Sequence, residues 1–255
     1  LDHASLIDGA RLSGARLRRF RHNDPVHAGR LLAEAKGEKL LAVDGVFSMD
    51  GDLAPLPELA RLCAEREAWL MVDDAHGLGV LGEGGGGSLE HWGLGQGEVP
   101  ILMGTLGKAL GTAGAFVAGS EALVETLVQQ ARSYLFTTAA PPALAEATLR
   151  SLEIVREEPW RRRHLEALVA RFREGGRALG LPLGDSATPI QPVIAGGNER
   201  ALAWSRHLEA QGILVVAIRP PTVPEGTARL RITFTAAHEE HHVDRLLEAL
   251  EGLPR

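Results

Sequence analysis

Three short apolar runs constrain this chain most, because each stops abruptly at residues that do not belong in a buried strand. Leu40–Val43 ends at Asp44-Gly45, Trp69–Val72 ends at Asp73-Asp74, and Ile101–Met103 is followed by Gly104-Thr105. Brief, continuous apolar runs bounded by turn formers predict strands buried in a sheet. A fourth such run is Ala115–Ala118. Between the first two lies Leu53–Glu67, with apolar residues at helical spacing and Pro57 early in it, where proline is tolerated. Gly77–Ser88 is rich in glycine. Strands alternating with helical segments predict an α/β layered fold.

From Ser120 the pattern changes. Ser120–Arg132, Pro142–Arg156 and Trp160–Leu179 have helical spacing, and Pro141-Pro142 separates the first two. Ile190–Ile194 and Ile213–Ile218 predict strands around a helix at Arg200–Gln211. Arg229–Phe234 predicts a further strand, and Ala237–Leu250 a closing helix capped by Thr235. The expectation is a large domain over 1–155 and a smaller α+β domain over 156–255.

Bulk properties narrow the function classes. The chain has 255 residues, 45% hydrophobic and 24% charged, with a formal net charge of −6. No basic stripe is left over to pair with nucleic-acid phosphates, and no apolar run approaches the roughly 20 residues that span a bilayer. The first residues lack the basic start of a signal peptide, so the cytoplasm is the expected location. Cys63 is the only cysteine, which makes an intramolecular disulfide impossible; in its helical pattern it reads as a small buried apolar residue. Leu1 stands where a Met would begin a complete chain, and an N-terminal part is expected to be missing.

Four constellations could carry chemistry. Asp73-Asp74-Ala75-His76 follows a buried strand, which is either a polar turn or a ligand site at a strand's carboxyl end. Gly104-Thr105-Leu106-Gly107-Lys108-Ala109 sets a lysine among small residues; it is either a solvated loop lysine or a partly desolvated, nucleophilic amine. The segment is no P-loop, since Leu102 and Ala109 stand where that motif needs Gly and Ser or Thr. The glycines at 84–87 lack the dinucleotide-binding pattern as well. His238-Glu239-Glu240-His241-His242 matches H-E-x-x-H formally, but only a helix and a short tail follow, with no convenient third zinc ligand, so no metal is expected there. Arg219 closes a strand before a proline-stiffened loop, which suits either a surface arginine or a carboxylate-binding guanidinium.

Taken in order, these segments resemble the fold-type I pyridoxal-phosphate (PLP) enzymes. Asp44-Gly45-Val46-Phe47-Ser48-Met49-Asp50-Gly51-Asp52, Val72–Gly77 and Thr105–Ala109 are similar to the α-oxoamine synthases. The resemblance implies a large mainly parallel sheet domain, a smaller C-terminal α+β domain, and PLP carried by Lys108. It further implies that Asp73 pairs with the pyridine nitrogen, and that His76 hydrogen-bonds the ring hydroxyl with Ser48 nearby. His3 then stacks on the ring face, Thr105 binds the phosphate, and Thr138 reaches the phosphate of a neighbouring subunit in a homodimer. Arg219 and Thr222 match the substrate loop, with Arg219 on the amino-acid carboxylate. Ala217–Arg231 is most similar to the branch that joins L-alanine to pimeloyl-CoA, or to a pimeloyl carrier protein, in biotin biosynthesis. The alternatives are the branch that joins glycine to acetyl-CoA, or a truncated protein that dimerises without catalysis.

Overall fold

The computed structural model describes residues 2–254, which form two compact units. One holds the residues up to Phe47 together with Leu53–Pro159; the other holds Ser48–Asp52 and the residues from Trp160 on.

The first unit opens with α1 (Ala4–Leu12) and α2 (Pro25–Glu34), neither of which apolar spacing predicted. The start of α2 has a plain local cause. The side chain of Asp24 accepts the His27 N–H, and Pro25 occupies the first turn, where its missing N–H costs nothing. Then come β1 (Leu40–Asp44), α3 (Leu56–Glu65), β2 (Trp69–Asp73), α4 (Ser88–Trp92), β3 (Ile101–Thr105) and β4 (Ala115–Gly119). The helix predicted from Leu53 begins three residues later, because Leu53 is bridged to Val46 and Pro55 caps the helix.

The four strands form one sheet in the order β1-β2-β3-β4. β1, β2 and β3 are parallel, and β4 runs antiparallel to β3. Val43, Leu70, Val72 and Leu41 of the sheet pack with Leu56, Leu59, Ala60 and Cys63 of α3. Cys63 is buried among these apolar side chains, which pushes its thiol up to about 11. Three helices complete the unit: α5 (Glu121–Gln130), α6 (Arg132–Leu135) and α7 (Pro142–Glu157). None of the three has a buried residue in this chain, and Leu135, Phe136 and Leu149 stand exposed.

In the second unit, α8 (Trp160–Ala178) is followed by β5 (Ile190–Gly196), α9 (Asn198–Ala210), β6 (Val216–Ile218), β7 (Ala228–Thr233) and α10 (Glu240–Glu251). The antiparallel sheet has the order β5-β7-β6. Its apolar face packs with Leu168 and Phe172 of α8, Trp204 and Leu208 of α9, and Val243 and Leu246 of α10. Two expectations are corrected here. The strand foreseen from Ile213 begins at Val216, and the last helix is capped by Glu239 rather than Thr235. Glu239 and His242 form a reciprocal capping box, whereas Thr235 and His238 close the preceding turn. His238 therefore lies outside the helix, and the two histidines of the formal H-E-x-x-H do not form a helical i, i+4 pair.

The segment Ser48–Asp52 folds with this second unit. Arg231 Nε donates to the Ser48 carbonyl at 2.6 Å, and the buried Arg229 forms an ion pair with Asp50. The hydroxyls of Ser186 and Thr188 both donate to the Gly51 carbonyl at 2.9 Å.

The glycine-rich stretch of the first unit folds around two carboxylates, with Gly77 and Gly87 against Asp74 and Gly82, Gly84 and Gly86 against Glu90. Gly87 has φ +88° and ψ −158°, a conformation open essentially to glycine alone, and a Cβ there would fall inside the Asp74 carboxylate. Gly87→Ala is therefore expected to destabilise the protein by about 3 kcal/mol or more. Gly97→Ala, where a Cβ meets open space, is expected to stay within about 0.5 kcal/mol. Urea unfolding of the two variants beside the parent chain measures both.

Candidate active site

The site begins with strand register. In the parallel pairing, Asp44 lies opposite Asp73 and Asp73 lies opposite Met103. The three strands thus end side by side, and their carboxyl ends deliver Asp44, Asp73 and Thr105 to one edge of the sheet, where ligand sites of open α/β sheets form. A cavity of about 210 Å³ lies there. It is lined by His3, Asp73, His76, Thr105 and Lys108, all singled out in the sequence, and by Ser5, Asp44, Val46, Ala75 and Met103.

Each side chain is aimed by local structure. The chain leaves β2 in a single turn, with the N–H groups of Gly77 and Leu78 donating to the Asp74 carbonyl, and this turn presents His76. Asp73 Oδ1 accepts the Ala75 N–H at 3.0 Å. Asp73 is 5% exposed, and among the described residues it has no ion-pair partner. Lys108 sits in the tight connection between β3 and β4. That connection is closed by Leu106 N–H donating to Gly114 O and by Gly111 N–H donating to Lys108 O. Lys108 Nζ lies 3.5 Å from Thr105 Oγ1. Of the two readings the sequence leaves open for Lys108, this chain has the solvated one: its side chain is exposed. His3 caps α1, with its ring Nδ1 accepting the Ser5 N–H at 3.3 Å.

The remaining sequence candidates lie elsewhere in the chain. Thr138 is exposed between α6 and α7 of the first unit. Ser48 is buried in the segment that folds with the second unit, and Arg219 and Thr222 are exposed in the loop after β6, where the Thr222 N–H donates to the Arg219 carbonyl at 3.1 Å.

Sequence reasoning gave no role to Asp44, although it ends β1 as Asp73 ends β2; that repetition was the available signal. Asp44 is 3% exposed. Burial, reinforced by the nearby Asp2 and Asp73, pushes its carboxyl up to about 7. Asp74 differs from its neighbour Asp73 in kind. It points away from the cavity residues into the glycine-rich loop, where its Oδ2 accepts the Ser88 N–H at 2.8 Å. Burial raises its carboxyl to about 6, against the lowering effect of the Ser88 hydrogen bonds.

Comparison with known proteins agrees with this architecture. Residues 1–250 match the family model for aminotransferase class I and II. An 8-amino-7-oxononanoate synthase of Pseudomonas paraeruginosa is 63% identical over 250 residues, covering 98% of this chain and 62% of that protein. The enzyme of the same name from Thioalkalivibrio sulfidiphilus is 64% identical over 253 residues, covering 98% and 64%. The chain thus spans slightly less than two thirds of these relatives. Among solved structures, 8-amino-7-oxononanoate synthase from Francisella tularensis superposes with a TM-score of 0.85 at 32% identity, covering 98% of this chain and 72% of that one. A Sphingomonas wittichii serine palmitoyltransferase gives 0.94 at 33% identity, covering 99% and 64%.

A carboxyl raised by burial favours folding in its protonated form. Its contribution is complete below the ordinary carboxylate pKa and is lost as pH rises through the folded value, here between about 4 and 6 for Asp74. Asp74→Asn keeps an acceptor for Ser88 and removes the ionisation. It should raise stability at pH 8 by on the order of 2–3 kcal/mol, with the gain vanishing towards pH 4. Thermal melts of both proteins across this range check the sign.

The cavity at the ends of three parallel strands, and the match over nearly the whole length, give one conclusion: the chain belongs to the aminotransferase class I and II family.

Proposed function

We propose that this chain carries the catalytic residues of a PLP-dependent acyltransferase of the cytoplasm. The reaction joins L-alanine to pimeloyl-CoA, or to a pimeloyl carrier protein, and releases 8-amino-7-oxononanoate, the free carrier and carbon dioxide. The relatives that share 62–64% of its residues all bear the name of that synthase. That degree of identity favours alanine and a pimeloyl thioester over glycine and acetyl-CoA.

Asp73 is the observation that carries the reading. A carboxylate buried without a cation is costly, and this one lines a cavity beside a primary amine and a hydroxyl. A ligand with a protonated ring nitrogen would remove that cost. PLP adds an aldehyde, a ring oxygen and a phosphate, and the residues fit each of them. Lys108 would hold the aldehyde carbon, Asp73 the ring nitrogen, and His76 the ring oxygen, with Ser48 assisting. His3 would cover the ring face, and Thr105 would bind the phosphate. Thr138 would reach the phosphate held by the second subunit of a homodimer. The exposed apolar side chains of α6 and α7 on either side of Thr138 support that assembly.

When bound, PLP supplies an electron sink for the carbanion at the amino acid's α-carbon. Asp73 holds the proton on the ring nitrogen throughout. Arg219 would bind the alanine carboxylate with its planar guanidinium, with Thr222 in the same substrate loop. Lys108, as a neutral amine, would take the α-proton. The new bond joins the alanine α-carbon to the thioester carbonyl carbon. The carrier leaves as its thiol, and the alanine carboxylate leaves as carbon dioxide.

Addition of PLP to the purified chain is expected to produce a visible absorption band that shifts on addition of L-alanine. Lys108→Ala should abolish the covalent cofactor link, measured by borohydride trapping and mass spectrometry, and lower turnover by about 10²-fold or more. Faster turnover of glycine with acetyl-CoA than of alanine with pimeloyl-CoA would overturn the substrate assignment, and full activity in Lys108→Ala would overturn the assignment of the base.

A further inference from the structure

Asp44 is held in an arrangement that stability alone does not explain. It is 3% exposed, yet among the described residues its carboxylate has one hydrogen bond, from the His3 N–H to Oδ2 at 3.0 Å, while Oδ1 is buried without a partner. Buried carboxylates in structural roles are normally fully satisfied. A second bond runs the opposite way: the Asp44 N–H donates to Asp2 Oδ1 at 3.2 Å. Gly45 N–H donates to Asp73 O across the β1–β2 pair, so by the alternation along a strand the Asp44 N–H lies on the other edge of β1. The two bonds form a reciprocal clamp that pins residues 2 and 3 against the end of β1.

The clamp matters because His3 is otherwise poorly held. His3 is exposed, α1 behind it has no buried residue, and among the described residues the ring hydrogen-bonds Ser5, two residues away. Those bonds fix the ring relative to α1. Among the described residues, the Asp44 bonds are the hydrogen bonds that tie this segment to the sheet whose strand ends form the cavity.

We propose that Asp44 is a positioning residue that acts through His3, clamping the backbone of residues 2 and 3 so that the imidazole faces the cavity shared with Asp73 and Lys108. The cofactor arm of the test rests on the PLP reading above; the other arm does not. A substitution at 44 removes the side-chain half of the clamp, the bond from the His3 N–H, and leaves the backbone bond to Asp2 in place. Asn at position 44 retains an oxygen acceptor for the His3 N–H, whereas Ala retains none.

The experiment is a double-mutant cycle of Asp44→Ala and His3→Ala with Asp44→Asn as the conservative variant, read in two ways. In the protein without cofactor, hydrogen exchange is followed in the peptide covering residues 1–12. Asp44→Ala should speed exchange there severalfold while Asp44→Asn stays close to the parent. In the protein titrated with PLP, Asp44→Ala should weaken binding about tenfold, Asp44→Asn should recover most of that loss, and the double variant should bind no worse than His3→Ala. Multiplying losses in the double variant would overturn the proposal, as would unchanged exchange in Asp44→Ala. If the parent chain takes up no PLP, the PLP reading fails by itself and the exchange result still decides the clamp. If Asp44→Ala does not fold, Asp44→Leu in the same exchange measurement replaces it, with Asp44→Asn unchanged beside it as the expected contrast.

Discussion

The parallel hydrogen-bond register of β1, β2 and β3 is the constraint on which the first unit depends. It aligns Asp44 with Asp73 and Asp73 with Met103, so three strand ends meet at one edge. A slip of one residue would exchange every inward and outward side chain of a strand. Asp73 would leave the cavity, and Val72, now fully buried, would face the wrong side. The apolar packing of Leu41, Val43, Leu70 and Val72 against α3 sets this register, and the polar residues follow from it. Core packing and site geometry are the same fact seen from the two ends of a strand.

Adjacent acids show how much this alternation decides. Asp73 and Asp74 are neighbours in sequence, both nearly without exposure, and they do different work. Asp73 lines the cavity and takes one local hydrogen bond from Ala75. Asp74 lies against Gly77 and Gly87 and holds Ser88, so that the glycine-rich stretch folds around it. Gly77 and Gly87 leave no room for a Cβ beside that carboxylate, a steric cause unrelated to phosphate binding. Glu90 repeats the device at the loop's outer end, accepting the N–H groups of Gly84 and Gly86.

The second unit is organised from β7. Its apolar side chains, Leu230 and Ile232, enter the core with Phe172 and Leu208, while Arg229 and Arg231 reach the Ser48–Asp52 segment from the same strand. Four hydroxyl or guanidinium contacts to that segment make it part of this unit, although residues of the first unit flank it in sequence on both sides.

Local sequence determined the strands ending at Asp44, Asp73 and Thr105 and the long helices α7 and α8, each through a period or a stop signal carried within a few residues. The candidates Asp73, His76, Thr105 and Lys108 came from the order of several motifs resembling one enzyme family, since each segment alone also read as an ordinary turn or loop. Helices α1 and α2 are short, a glycine interrupts each, and only the second has a local start signal, at Asp24-Pro25. Tertiary structure decided what no local pattern encodes: the convergence of His3 with residues about a hundred positions later, the antiparallel turn of β4, and the separate roles of Asp73 and Asp74. It also decided that Asp44 faces the cavity, that Lys108 stands exposed there, and that Ser48–Asp52 folds with the second unit. All of these depend on which strands pair and in what register, a balance of burial and hydrogen bonding summed over the whole core rather than over neighbours in sequence.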